Sequence, residues 1–220
     1  MKTNSVRYLG SLLGLCSLLM AFSGCASSSN STGTGNTTAT LRELATDIGR
    51  GRTELDLAVT SLNDLIKNPQ PDLRKQHTTF SNNVNTLGKT AAKVEKTTQE
   101  LALKKDAFLQ KWDAELAKIN DDSLRKKGVK RQAKIVDEFK DISEQYEDVK
   151  KEFNPVMSKL RDIQTALAAD LSANGLKTVS SIAEDVDDDA KDLGKSLDKL
   201  ISKFKELGAS LEPVVPPAKK

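Results

Sequence analysis

The chain has two cysteines, one histidine, one tryptophan and few aromatic residues of any kind. Each scarcity closes off a class of function. Cys16 lies inside an N-terminal apolar run, so Cys25 is the only thiol left to a mature protein, and neither a disulfide framework nor a cysteine metal site can be built. A single histidine, His77, excludes a Ser-His-Asp set, a two-histidine zinc site and an HExxH motif within one chain. Its position near a helix start among threonines reads as a surface or seam-edge residue. With 4% aromatic and 30% charged residues, the chain has less bulk than an ordinary compact globule. That composition suits thin helices sharing narrow apolar seams. Charge of one sign is also scarce: the formal +3 of the whole chain falls to +1 once Lys2 and Arg7 are set aside, which gives nucleic-acid binding no basic field to rest on. No strand-like alternation occurs, and no long apolar run follows residue 24.

What is present begins with an address. Lys2 and Arg7 precede an apolar stretch from Leu9 to Phe22, and the small pair Ser23-Gly24 leads directly into Cys25. A basic start, a short apolar core and small residues at a cleavage point mark an export signal, and the stretch falls short of the roughly 20 apolar residues of a membrane span. Small residues before a cysteine resemble the lipobox, in which the thiol is acylated and cleavage exposes the cysteine. The expectation is therefore a signal peptide over residues 1–24 and a lipid attached at Cys25. Ala26 rather than Asp follows the cysteine, which favours the outer membrane, facing the periplasm. Residues 25–39, rich in Ser, Thr, Gly and Asn, are expected to form a disordered tether with a reach of roughly 20 Å.

Helical periodicity then takes over. Leu41, Leu44, Ile48, Leu55, Ala58, Leu62 and Leu65 recur at steps of three and four, with Gly51 filling one seam position, and predict a first helix. Pro69 and Pro71 stop it, and Asp72 can cap the next. A second seam runs from Phe80 to Trp112. A reversal is expected at Asn120 to Ser123. A third helix carries the cleanest seam, from Ile135 to Leu167. Its register runs through Asn154-Pro155, which predicts one bent helix over a break. Asn174-Gly175 reads as a left-handed stop. The last helix places Val179, Ile182, Val186, Ala190 and Leu193 on its seam, with a stutter across Ile182, Val186 and Ala190. Short connections between long amphipathic helices predict an all-α, elongated antiparallel bundle or coiled coil of about four helices over residues 40–211. A disordered Pro/Lys tail is expected over 212–220.

Few residues offer chemistry. Glu184, Asp185, Asp187, Asp188, Asp189 and Asp192 form the densest acidic cluster, but it lacks the glycine turn and alternate spacing of a calcium loop, and Lys191 and Lys195 sit within neutralising distance. It reads as a solvated helix face, and no metal, cofactor or catalytic residue is assigned. Trp112, beside Phe108, is expected to fill the bundle end and is also the one candidate aromatic anchor for a partner. The tail ending in Lys219-Lys220 loosely resembles the end of the small major outer-membrane lipoprotein, whose final lysine is joined to peptidoglycan. Lys220 is the candidate linkage residue on that resemblance.

Several stretches together resemble a family of bacterial helical lipoproteins known only as a domain of unknown function, DUF2959. They are Phe108 through Glu115, Ser123-Leu124-Arg125, and Asn154-Pro155-Val156-Met157 with Leu160-Arg161-Asp162. The resemblance covers about Leu41 to Leu211. It implies an exported helical lipoprotein and no activity. The sequence thus predicts a non-enzymatic rod held to the membrane by acyl chains and acting structurally or by contact with envelope proteins or peptidoglycan. Neither nucleic acid nor a small-molecule substrate is inferred. The rival readings are a membrane-to-peptidoglycan tether through Lys220, and a self-associating or membrane-remodelling amphipathic bundle.

Overall fold

The computed structural model describes residues 31–212, which form four α-helices: α1 (Ser31–Lys67), α2 (Leu73–Ala117), α3 (Asp122–Ala169) and α4 (Ala173–Ser210). The expected signal peptide, Cys25 and Lys220 lie outside the described residues. Each helix packs on its neighbours in sequence and α1 closes the ring against α4, while the diagonal pairs make no close backbone approach. This is the expected antiparallel bundle. At about 1.5 Å per residue, the 48 residues of α3 give a rod about 70 Å long.

Heptad spacing makes the helices pair. In α3 the ten expected seam residues from Ile135 to Leu167 all face inward, with Tyr146 and Phe153 half-buried and the other eight buried. Their steps alternate four and three without a fault, as a left-handed supercoil requires. The helix is continuous through Pro155, so the expected break-free register is correct. Asp72 caps α2 by accepting from the Arg74 amide at 3.1 Å. Asp121 caps α3 by accepting from Leu124 N at 2.7 Å.

Three expectations need correction. In α4 the buried residue is Ala183, and Ile182 is 40% exposed. With Ala183 on the seam, the series Leu176, Val179, Ala183, Val186, Ala190, Leu193 keeps a strict heptad and no stutter exists; the smaller side chain occupies the narrow seam. Part of the stretch expected to be coil up to residue 39 is helical, because α1 starts at Ser31. Thr37 is fully buried and Thr38 and Thr40 nearly so. Thr37 stands four residues before Leu41 and extends the α1 heptad with a side chain that periodicity counted on apolar residues alone passes over.

Gly175 is the third. It sits inside the first turn of α4, where its amide donates to the capping Ser172 hydroxyl at 3.2 Å. A β-carbon there would collide with the Asp170 carbonyl oxygen. The glycine is required by close approach of two helix ends, and a left-handed stop is not what it supplies. Gly175→Ala is expected to lower stability by about 1–3 kcal/mol through overpacking, read as a reduced denaturant midpoint. Exposed Asn174→Ala should stay within about 0.5 kcal/mol.

Up-down topology places the start of α1, the α2–α3 turn and the end of α4 at one end of the rod. Arg42 pairs with Glu212 there, Lys104 Nζ donates to Thr40 Oγ1 at 2.8 Å, and Arg131 donates to the Ser210 carbonyl at 2.8 Å. Since α4 stops level with Arg131, residues 122–131 of α3 project past it by about 15 Å. Among the described residues no helix is long and apolar enough to cross a membrane.

Candidate functional site

Beside the α1 seam runs a lane at seven-residue spacing, Thr40, Asp47, Glu54 and Ser61, turned toward α2. Lys104 reaches Thr40, and Asn83 donates to Ser61 Oγ at 3.1 Å, whereas Glu54 Oε2 is buried with no hydrogen-bond partner among the described residues. Asp47 is 4% exposed, and a buried carboxylate is costly unless paired. Lys93 Nζ lies 2.6 Å from Asp47 Oδ2 and 2.9 Å from Glu43, and Arg50 also pairs with Asp47. Hydrogen bonds to Asp47 and then to Glu43 hold the Lys93 ammonium above its usual range.

Next to Asp47 the bundle opens. The lining of the opening carries Gly88 and Ala91 of α2 and, where α2 meets α1, Thr90 against Gly51. These side chains are too short to fill the space opposite the half-buried Tyr146 and Phe153 of α3. The result is a cleft of about 550 Å³ walled by residues of all four helices, with Ile48, Leu87, Val149, Met157 and Leu197 among its apolar lining. Its size lies within the roughly 300–1,000 Å³ of small-molecule sites. The α2–α3 interface is the thinnest in the bundle for the same reason.

The rim is charged. Lys150 donates to Glu95 at 2.6 Å across the α2–α3 gap, and that bond raises the lysine above its usual range. Burial pushes the Tyr146 phenol up, although Lys150 and a hydrogen bond with Thr98 oppose the shift. Tyr146 therefore stays neutral at physiological pH. Arg161 lies over Gly88, where an added β-carbon would stand 3.4 Å from Nη2. Pro155 lies beside the lining residues Asn154, Met157 and Ser158, and its missing N–H leaves the Lys151 carbonyl without its helical donor. With Asp47 and Glu95 engaged by lysines, the cleft presents an apolar volume with a polar edge, an arrangement suited to holding a guest.

The other sequence candidates sit elsewhere. His77 Nε2 is 3.5 Å from Ser81 Oγ near the start of α2, outside the cleft. Trp112 is half-buried against the core, its ring 5.4 Å from that of Phe108 and tilted by 56°. In the acidic cluster, Lys191 pairs with Asp187 and Asp188, Lys195 with Asp192, and Lys159 with Asp189. Asn63 also donates to Asp187 at 3.0 Å. These bonds to Lys191 and Asn63 hold Asp187 below the usual carboxylate range. No group of three or more metal-ligating side chains occurs among the described residues.

Sequence reasoning missed two features. The cleft was written in the small residues Gly88 and Ala91 of α2 and Gly51 of α1, which share a level with the aromatic residues Tyr146 and Phe153 of α3. The second is a basic tip: residues 123–136 contain Arg125, Lys126, Lys127, Lys130, Arg131 and Lys134 and no acid. A net charge taken over the whole chain averages that run away.

A family model described as "Protein of unknown function (DUF2959)" matches residues 42–211. No curated protein and no solved structure gives a significant match.

Proposed function

The chain belongs to the DUF2959 family, whose description assigns no activity, and from that premise we propose a lipid-anchored, non-enzymatic binding rod of the cell envelope. Acyl chains on Cys25 would hold it to the membrane, with the outer membrane favoured by Ala26, and the bundle would act by contact in the periplasm. The observation that carries this reading is where the chain enters and leaves the fold. Arg42 and Glu212 pair at one end of the rod, so an anchor a few residues before Ser31 presents the bundle end-on. Residues 47–51, at the cleft, then stand about 25–30 Å along the axis at 1.5 Å per residue.

The same geometry weakens the tether reading. Lys220 lies eight residues beyond Glu212 and so departs from the anchored end, without the length of the rod to span the gap to the wall.

Anchoring is tested by growing cells with labelled palmitate. Label is expected on the wild-type chain and in the membrane fraction. Cys25→Ala should lose the label entirely and leave the lipid-anchored pool. An unlabelled wild-type chain would sink the reading.

A further inference from the structure

The α2–α3 tip is charged and apolar at once. Between 123 and 136 every ionisable side chain is basic, and the facing acids are few and occupied. Asp122 pairs with Arg125, Asp121 caps α3, Asp113 accepts from Gln132, and Glu115 pairs with Lys118. Lys126, Lys127 and Lys130 form no ion pair among the described residues. Among them stand Leu124 at 57% and Val129 at 50% exposure, two of the six large apolar side chains left exposed among the described residues. Unpaired lysines interleaved with exposed apolar residues at the end of a helical hairpin match an interfacial surface, in which cations meet phosphates while apolar side chains enter the headgroup boundary.

Position strengthens the match. The tip projects past the end of α4 at the same end of the rod as the start of α1, and the 30 residues before α1 carry both the apolar run and Cys25. The acidic residues 184–189 lie in the other half of the bundle, paired with the start of α1's last turns through Asn63. The rod is therefore electrically polarised along its axis, with its basic end toward the chain's entry point.

We propose that the α2–α3 tip docks on the surface of an anionic phospholipid bilayer. It holds the rod at a fixed attitude to the membrane, a second contact that turns a flexible anchor into an oriented one. Lys126, Lys127 and Lys130 supply the attraction, and Leu124 enters the headgroup region. The inference rests on the anchoring reading for its geometry, and the two can fail separately.

The test uses the full acylated chain in vesicles, carrying Leu124→Trp in a Trp112→Phe background so that position 124 holds the only indole. Vesicles contain bromine-labelled lipid with either phosphatidylglycerol or phosphatidylcholine. Indole quenching is expected in the anionic vesicles alone, and it should fade as salt shortens the screening length. Adding Lys126→Glu, Lys127→Glu and Lys130→Glu should abolish quenching while helicity by circular dichroism and vesicle flotation are unchanged. Each basic residue near such a surface is worth about fivefold in partitioning, so losing three predicts a roughly 100-fold fall in the docked population. Flotation without quenching, or equal quenching in neutral vesicles, overturns docking and leaves the anchor standing. Quenching of a Cys25→Ala chain by anionic vesicles supports docking even where anchoring fails, and a chain that neither floats nor quenches overturns both.

Discussion

Phe204→Ala is expected to destabilise the bundle by about 3–5 kcal/mol, the range for deleting a fully buried phenylalanine when the core relaxes only partly around the cavity. Phe204 is 0% exposed and lies on the strict heptad of α4. Phe204 belongs to the single buried core of the bundle, whose close packing limits how far its neighbours can collapse into the hole. For a domain of this size each kcal/mol moves the melting temperature by about 2–4 °C, which places the midpoint roughly 6–20 °C lower. Leu103→Ala removes a side chain that is 74% exposed and should change the stability by no more than about 0.5 kcal/mol. Both are measured by thermal circular dichroism. A loss at Phe204 no larger than that at Leu103 would mean the bundle does not unfold as one cooperative unit.

The contrast between those two leucine-class and aromatic positions shows where periodicity informs and where it misleads. In α3 every predicted seam residue is inward because apolar side chains alone mark the heptad. In α4 the same rule chose Ile182 over Ala183, favouring hydrophobicity over the size that a tight seam admits. In α1 it stopped at Leu41, since Thr37 is polar by type yet buried by register. Gly175 has the composition of a turn but serves close packing against Asp170, a contact between two helix ends that local sequence does not encode. The cleft has the same origin. Gly51 and Ala91 read as ordinary seam positions and Gly88 carries no signal of its own, and only their meeting at one level, from two helices, leaves a void. The basic tip needed no structure at all to be seen, only charge counted over 14 residues instead of 220; its meaning came from the topology that puts it beside the chain's entry.

Pro155→Ala is expected to stabilise the fold by about 1–3 kcal/mol, the reverse of what core substitutions do. A proline inside a helix deletes one backbone hydrogen bond, and its ring presses on the carbonyl four residues earlier, here that of Lys151, at a cost of about 3 kcal/mol. Pro155 is exposed, so alanine loses little packing and restores the N–H. The substitution should also reach the cleft. Phe153, Asn154 and Met157 flank the proline and line the opening, and Met157 already contacts the space above Gly88, where a β-carbon would stand 3.2 Å from its methyl group. With the ring's pressure on the Lys151 carbonyl gone, these side chains are expected to settle into the gap that the small residues leave. Thermal melting and uptake of the apolar dye ANS should therefore move in opposite directions, with the melting temperature rising and dye binding falling. Stabilisation with unchanged dye binding would separate the proline from the cleft. Destabilisation would mean that the proline is required by the packing of α3 against its neighbours, and that the void opposite Gly88 is a consequence of that packing.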